Sequence, residues 1–334
     1  MTVLGIESSC DETSASVVID GREVKSIIIA SQIEIHRETN GVVPEVASRE
    51  HVKVVIPVIK EALKEANITL DEIDLIAVTK GPGLVGSLLV GVETAKTLAF
   101  SKNIKIVAVN HILGHIYSNW LDHQDIIHFP ILTLTASGGH NDLVLTKDHY
   151  DFDILGRTRD DASGEAFDKI AKMLDLPYPG GPEVSKRAIL GDKKRFQFPR
   201  AWLSKESYEF SFSGLKSAVR REIETLGKLS AKDINDICAS FQEAVTEVLA
   251  TKLLCAAKAN GANEIHLAGG VSANSRLREI IAEKSPLLFR VPKKMIYCTD
   301  NAAMIASAGF FKYQKFGEDS WQEIEADPRF EVDI

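Results

Sequence analysis

The chain has 334 residues, 45% hydrophobic and 26% charged, and a formal net charge of −8, enough for two domains with buried cores but too acidic for a generic nucleic-acid coat. A cytoplasmic protein outside the membrane is expected, because Glu7 interrupts the first apolar run where a signal peptide would need it continuous, and the least polar stretch, Gly81 to Val92, is too short to span a bilayer. Cys10, Cys238, Cys255 and Cys298 show no C-x-x-C spacing and read as reduced thiols.

Taken in order, Val3 to Glu7 reads as a strand and Ser14 to Ile19 as its return. Between them lies the polar turn Ser8-Ser9-Cys10-Asp11-Glu12-Thr13. Its small hydroxyl residues can offer hydroxyls and backbone N–H groups to a phosphate or carboxylate, and Asp11 and Glu12 add two carboxylates; a solvated hairpin tip is the simpler alternative. Helices are expected around Glu50 to Ala66 and Val85 to Phe100, and they could serve as a partner surface. Between them, Leu75 to Thr79 is a strand that ends in Gly81-Pro82-Gly83.

Ile104 to Val109 is a further apolar strand, followed by Asn110 as a helix N-cap and by His111 and His115. Residues at i and i+4 share a helix face, so the two imidazoles project together at a strand's carboxyl end, which is half of a metal site. Position 112 is Ile, so a peptidase of the His-Glu-x-x-His type would lack its general base. A third candidate ligand is Asp300, in Thr299-Asp300-Asn301-Ala302-Ala303 after an apolar strand. Two histidines and one carboxylate leave coordination positions open, which suits a catalytic metal.

The opening plan returns in the second half. Pro130 to Thr135 is a strand, Ala136-Ser137-Gly138-Gly139-His140-Asn141 a turn, and Asp142 to Thr146 a return strand. Glu264 to Ala268 is a strand running into Gly269-Gly270-Val271-Ser272-Ala273-Asn274 and a helix from about Arg276. Glycines at such junctions let a ligand approach the backbone, and the helix N-terminus favours negative charge. A repeated hairpin, followed each time by a strand-glycine-helix unit, faces two tips and two helix starts across one cleft. That is the layout of the actin, sugar-kinase and heat-shock-ATPase (ASKHA) superfamily. The expected fold is therefore α/β, a duplicated two-domain ASKHA fold with a central nucleotide cleft. Residues 1–110 plus 302–325 would form the first domain and 111–301 the second, with a helical insertion at about 155–235 and an acidic tail at 326–334.

Asp160 to Lys169 reads as a capped helix start that puts Glu165, Asp168, Lys169 and Lys172 on one face, and Pro179-Gly180-Gly181-Pro182 reads as a turn. Between Lys186 and Lys228 there are eleven Lys and Arg against five acidic residues. Lys193, Lys194, Arg195, Arg200, Lys205, Lys216, Arg220 and Arg221 are its core, interleaved with Phe196, Phe198, Trp202 and Tyr208. Such a segment could neutralise phosphates, although it cannot choose a base. Ile234 to Lys258 is a long amphipathic helix, Ala302 to Phe311 an apolar one that crosses back to the first domain, and the tail from Gly317 a loose end or a contact segment.

Several of these motifs together resemble one family. They are Gly5-Ile6-Glu7-Ser8-Ser9-Cys10-Asp11-Glu12-Thr13, Gly41-Val42-Val43-Pro44-Glu45, Gly81-Pro82-Gly83-Leu84-Val85-Gly86, His111-x-x-Gly114-His115, Ser137-Gly138-Gly139-His140, Gly164-Glu165-Ala166-Phe167-Asp168-Lys169, Tyr178-Pro179-Gly180-Gly181-Pro182, Phe212-Ser213-Gly214-Leu215-Lys216 and Gly269-Gly270-Val271-Ser272-Ala273-Asn274. Between residue 3 and about 311 the chain resembles the TsaD/KEOPS catalytic-subunit family, formerly labelled O-sialoglycoprotein endopeptidase.

The resemblance implies transfer of a threonylcarbamoyl group from threonylcarbamoyladenylate to N6 of the adenosine at position 37 of tRNAs that read codons beginning with A. It implies one divalent metal ion on His111, His115 and Asp300, usually described as iron(II), with zinc and magnesium as alternatives. It implies an adenylate held by Thr135, Ala136, Ser137, Gly138, Gly139, Asp168, Gly181 and Asn274. Archaeal relatives place a metal-binding tyrosine where this chain has Thr135, so the fourth metal ligand is left open. Asp11 or Glu12 is the candidate for removing the proton from the attacking amino group. The expected partners are the tRNA anticodon loop, a TsaB-like paralogue and a TsaE-like P-loop ATPase, with a homodimer left open. Two other readings stand beside this one: an ATPase or kinase of the same superfamily, which leaves His111 and His115 idle, and a metallopeptidase.

Overall fold

The computed structural model describes residues 1–37, 41–202 and 207–331. Its first elements are β1 (Thr2–Glu7), β2 (Glu12–Ile19), β3 (Glu23–Ser31), α1 (Ile33–Arg37), α2 (Pro44–Glu65), β4 (Leu75–Gly81), α3 (Val85–Lys102), β5 (Lys105–Asn110) and α4 (His111–Tyr117). There follow β6 (Ile131–Ala136), β7 (Asn141–Asp148), β8 (Asp151–Arg157), α5 (Ser163–Met173), α6 (Gly180–Ala188), α7 (Ser213–Leu226) and α8 (Ala231–Ala259). The chain ends with β9 (Glu264–Ala268), α9 (Ser275–Lys284), β10 (Leu288–Arg290) and α10 (Ala302–Phe316). Two compact units result, one of Met1–Ile126, His149–Asp151 and Pro292–Ile334, the other of Ile127–Asp148 and Phe152–Val291.

In the first unit a five-stranded sheet has the order β3-β2-β1-β4-β5. β1 pairs antiparallel with β2 and parallel with β4, and β4 pairs parallel with β5. The parallel centre is made of near-continuous apolar runs, such as Leu75 to Val78, because it is buried on both faces. Small residues bring α10 onto this sheet: a Cβ on Gly5 would lie 2.1 Å from the Ala302 carbonyl oxygen, and one on Gly309 2.4 Å from the Ala77 Cβ.

The second unit repeats the plan strand for strand. Its five-stranded sheet runs β8-β7-β6-β9-β10, with β6 antiparallel to β7 and parallel to β9. Leu132, Leu134, Ile265 and Leu267 bury one face of it in the same core as the stripe Ile237, Phe241, Val245, Val248 and Leu249 of α8. Ser230 and Asp233 close a capping box at the start of that helix.

Several expectations are corrected. The contacts divide the chain at Ile126 and Pro292 rather than at 110 and 302, because α4 packs on α10 and both belong to the first unit. A Cβ on Gly114 of α4 would lie 2.6 Å from Ile305, so the two helices meet closely there. The segment before Asp300 is a single 3-10 turn, Met295–Tyr297, not a strand; the strand there is β10, which Pro292 follows closely. Gly180 and Gly181 open α6 instead of forming a free turn, since the Asp168 carboxylate accepts from the Gly180 N–H at 2.8 Å. The tail is a contact segment as far as it is described. Asp319 N–H donates to the Ile106 carbonyl and its carboxylate accepts from Ala108 N–H, covering the outer edge of β5. Further on, Asp327 N–H donates to Lys80 O, and Phe330 O accepts from the Asn110 side chain. Among the described residues no helix is long and apolar enough to cross a membrane.

Candidate active site

In the first unit, strand β5 delivers Asn110, whose side-chain oxygen accepts from the N–H groups of Ile112 at 2.8 Å and Leu113 at 3.3 Å. This N-cap starts α4 at the histidine itself and sets His111 and His115 one turn apart, with ring centroids 4.7 Å apart. Asp300 sits just before Asn301, the N-cap of α10, whose side chain accepts from Met304 N–H. Its Oδ1 lies 3.2 Å from His115 Nε2 and 3.5 Å from His111 Nε2. One ligand atom from each of the three falls within 4.8 Å of the others. Residues separated by nearly two hundred positions are thus brought to one point.

The donor set fits a divalent cation. His115 is fully buried; among the described residues its Nδ1 has no hydrogen-bond partner and its Nε2 faces only the Asp300 carboxylate, an arrangement in which Nε2 is open to a metal bond. His111 Nδ1 faces Glu7 Oε2 at 3.0 Å, with Ser9 Oγ at 3.2 Å. A carboxylate accepts, so Nδ1 carries a proton toward Glu7, which leaves Nε2 as the nitrogen that would turn a lone pair to a bound cation. Glu7 is in turn fixed by the Thr79 hydroxyl at 2.6 Å and by Ser9 N–H at 2.5 Å. Burial opposes charge on His111, but Asp300 and Glu7 beside it lift it well above the usual imidazole range. Against the same burial, His111 and His115 hold Asp300 well below the carboxylate range. The cluster favours positive charge at its centre, as a metal-binding carboxylate–histidine set does.

Asp11 and Glu12 lie in the turn from β1 into β2, with Glu12 already the first residue of β2. Burial, followed by the charges of Asp11 and Asp300, pushes Glu12 up to about 9, and Glu12 accepts from the Ser31 hydroxyl at 3.0 Å. The glycines after β4 do not open the backbone to a ligand as expected. A Cβ on Gly81 would collide with the Asp327 carbonyl and one on Gly83 with the Ser9 carbonyl, so these glycines admit the protein's own backbone.

In the second unit the expected adenylate residues lie along one chain of contacts. The β6–β7 hairpin tip is closed by a hydrogen bond from Ser137 N–H to His140 O. Its Ser137 and Gly138 carbonyls accept from Gly164 and Glu165 N–H at the start of α5. Thr135 and Ala136 end β6, opposite Asp142 and Asn141. α5 carries Asp168, which caps α6 at Gly180; burial raises its carboxyl, while the Gly180 and Gly181 amides act to lower it. From α6, Ser185 joins Gln242 and Asn274, the Asn274 side chain donating to Gln242 at 2.8 Å and accepting from Leu277 N–H at 3.1 Å as the cap of α9. Gly269, at φ +80°, lies against the Ala136 carbonyl, which only a residue without Cβ allows. Gly138, Gly139, Gly181 and Gly270 differ: a Cβ there would meet nothing within 4 Å. At these positions the main chain is open on that side.

The basic segment proves largely self-paired. Lys193 reaches Glu243 at 3.2 Å, Arg200 reaches Glu247 at 2.9 Å, and Arg220 reaches Glu224 at 3.1 Å. Arg195 bridges Asp233 and the buried Asp236, and Lys216 pairs with Asp161. Lys194 and Arg221 make no ion pair among the described residues, and Lys205 lies outside them. Phe198 is buried in the core, with Phe196 stacked on it. Sequence reading passed over Glu7, Ser185 and Gln242, which orient the expected site residues. For Glu7 the sequence offers two signals, a glutamate ending an apolar strand and its place in the motif Gly5 to Thr13, and neither assigns it to His111.

The repeated hairpin-and-parallel sheets define a protein of the ASKHA class. Three solved structures share the fold. Full-length HypF in its phosphate- and nucleotide-bound form has a TM-score of 0.62 at 14% identity, over 96% of this chain and 47% of that one. HypF of T. kodakarensis reaches 0.63 at 15%, over 94% and 48%. Component A of the (R)-2-hydroxyglutaryl-CoA dehydratase of Acidaminococcus fermentans reaches 0.56 at 14%, over 94% and 99%.

The particular family follows from sequence likeness. The family model described as "TsaD: tRNA N6-adenosine threonylcarbamoyltransferase" matches residues 23–307. Proteins of that name are 52% identical in Desulfotalea psychrophila, over 95% of this chain and 94% of that one, and 54% identical in Dehalococcoides mccartyi, over 94% of each. The one in Bacillus cereus is 49% identical over 99% of this chain and 96% of its own. The chain belongs to the TsaD family of tRNA N6-adenosine threonylcarbamoyltransferases.

Proposed function

We propose that this chain transfers the threonylcarbamoyl group of threonylcarbamoyladenylate to N6 of adenosine 37 in tRNAs reading codons that begin with A, and releases AMP. The observation that carries the metal-assisted form of this reading is the convergence of His111, His115 and Asp300, with Glu7 fixing the first imidazole. These three residues would hold one divalent ion, iron(II) in this proposal, which when bound supplies a Lewis acid for the carbamoyl carbonyl or the threonyl carboxylate. The hairpin tip Thr135 to Gly139, with Asp168, Gly181 and Asn274, binds and orients the adenylate. AMP is a good leaving group on a mixed anhydride, so the demanding partner is the adenine amino group, whose lone pair is delocalised into the ring. Asp11 or Glu12 is the acceptor of the proton that emerges as the N–C bond forms, and Asp11 is the favoured one because burial pushes the Glu12 carboxyl up to about 9 and so keeps it protonated. The adenosine leaves its loop stack to reach them.

Partner surfaces are read from exposure. On α2, Val52 and Ile56, and on α3, Val85 and Leu89, are exposed at i, i+4 spacing and form two apolar stripes suited to the helices of a TsaB-like paralogue or a second copy. A TsaE-like ATPase and a cytoplasmic location rest on the family resemblance. Within the core of the basic segment, tRNA contact falls first to Lys194 and Arg221, which make no ion pair among the described residues. Reversing Arg195 would set a like charge against the buried Asp236 and confound stability with binding.

The test is turnover of threonylcarbamoyladenylate and tRNA by the purified chain with and without these partners, before and after chelation. AMP and modified tRNA should appear in equal amounts and both should cease on metal removal. Undiminished transfer by metal-stripped protein overturns the metal assignment. Normal transfer by both Asp11→Ala and Glu12→Ala removes the carboxylates from the mechanism. A kinase or ATPase would hydrolyse ATP indifferently to loss of His111 and His115.

A further inference from the structure

α2 places His51 beneath the turn that carries Asp11 and Glu12. The ring is fully buried, and both of its nitrogens are engaged within the first unit. Nε2 lies 2.9 Å from the Cys10 carbonyl oxygen and Nδ1 lies 2.6 Å from Thr13 Oγ1. A carbonyl only accepts, so Nε2 carries the proton, and in the neutral ring Nδ1 is the acceptor of the Thr13 hydroxyl. Burial, the leading influence on this ring, favours that neutral form. One rigid aromatic ring thus ties residue 10 to residue 13, and the two residues between these anchor points are Asp11 and Glu12.

The neighbouring backbone bonds show why this brace is needed. Ser9 O accepts from Leu84 N–H at 2.7 Å, and Asp11 O accepts from Gln32 N–H at 3.1 Å. The carbonyl between them, that of Cys10, has His51 instead of a main-chain partner. A buried histidine satisfied at both nitrogens is often no more than a packed core residue. Here both of its bonds fall on one four-residue stretch, and neither goes to the core around it. Without the ring, the partly buried Cys10 carbonyl would lose its partner, and the peptide before Asp11 would be free to rotate toward another donor.

We propose that His51 is a positioning residue for the transfer reaction, holding the Asp11–Glu12 carboxylates in their working orientation by bracing the Cys10 carbonyl and the Thr13 hydroxyl. This rests on the role assigned above to Asp11 and Glu12. Both hydrogen bonds of the side chain go to the turn, and its effect passes through it.

The experiment compares His51→Gln, whose amide nitrogen falls near Nε2, with His51→Asn, whose amide nitrogen falls near Nδ1. His51→Leu removes both bonds. Transfer is measured with saturating and limiting donor and tRNA, alongside metal content and thermal unfolding. His51→Leu and His51→Asn should lower kcat at least tenfold, with KM for both substrates and metal content within twofold of the parent. His51→Gln, which keeps the Cys10 bond, should recover most of the rate. A core-packing role would instead slow Gln and Asn alike, in step with their melting temperatures, and that result overturns the proposal. So does a His51→Leu rate within twofold of the parent.

Combining His51→Leu with Asp11→Ala and with Glu12→Ala separates the two claims. Loss of the His51 effect in at least one of these backgrounds supports the brace, and full additivity in both refutes it. If the single carboxylate variants are themselves normal, the catalytic assignment fails on its own account, whatever His51 does.

Discussion

The two candidate ligand clusters of this protein are built from opposite materials. In the first unit the cluster is made of side chains: His111, His115 and Asp300 converge, and Glu7 fixes the first of them. In the second unit it is made largely of backbone: Gly138, Gly139, Gly181 and Gly270 leave open space beside the main chain, and Asp168 and Asn274 act as helix caps. A metal ion needs strong, localised donors at fixed distances, which only imidazole and carboxylate supply. A flat, partly anionic ligand needs close approach and amide dipoles, which the absence of Cβ provides. The first cluster should therefore be intolerant of any change in residue type, and the second intolerant mainly of added bulk.

The largest effect should come from His115→Ala. It removes one of the three candidate ligands, and transfer should fall by about a thousandfold or more, the scale of several kcal/mol of transition-state stabilisation lost with a Lewis acid. Metal analysis of the purified variant should show the loss directly. A variant that keeps both metal and rate breaks the contrast.

Next comes a charge cluster in the framework of the second unit. Glu264 is buried and accepts from His266 at 3.1 Å, Arg290 at 2.6 Å and His128 N–H at 2.8 Å. Burial disfavours its charge, but these donors hold its carboxyl far below the usual range. A lowered folded-state value means that stability is fully present above the ordinary carboxylate value near 4.5 and drains away as pH falls below it. Glu264→Gln should cost about 3 kcal/mol at neutral pH and flatten the acid limb of the stability curve, while metal content stays unchanged. Chemical denaturation between neutral pH and mild acid checks both; metal loss in this variant would blur the separation of the clusters.

Glu7→Gln is expected to weaken metal affinity about 10- to 100-fold, because the imidazole loses its orienting carboxylate while all three ligands remain. Competition with a chelator of known affinity measures it. Smallest of all should be Gly138→Val, where a side chain enters open space: folding and metal content unchanged, donor affinity lower by about tenfold, or ~1.4 kcal/mol. Equal affinity would show that the ligand does not lie on that loop.

The strands and the long helices were legible because their periodicity is local. Glu264 to Ala268 was read at its true limits, and Asn110 was read as the cap it is. The Pro179 to Pro182 stretch was misread, because a glycine pair starts a helix only where a distant carboxylate, here Asp168, satisfies the freed amides. The pairing of the basic segment is not legible for a related reason. A count of charges along the chain does not include the glutamates of α8 that neutralise Lys193 and Arg200.

By itself the sequence determined the repeat, the residue types able to hold a metal, and the places where backbone is bare, since each depends on side-chain chemistry or on spacing within one element. Only the tertiary structure decided that Asp300 meets the two histidines, that Glu7 sets the tautomer of one of them, and that His51 braces the turn beside them. Contacts between residues tens to hundreds of positions apart are set by how sheets and helices stack. That stacking is a property of the whole buried core, which no local pattern encodes.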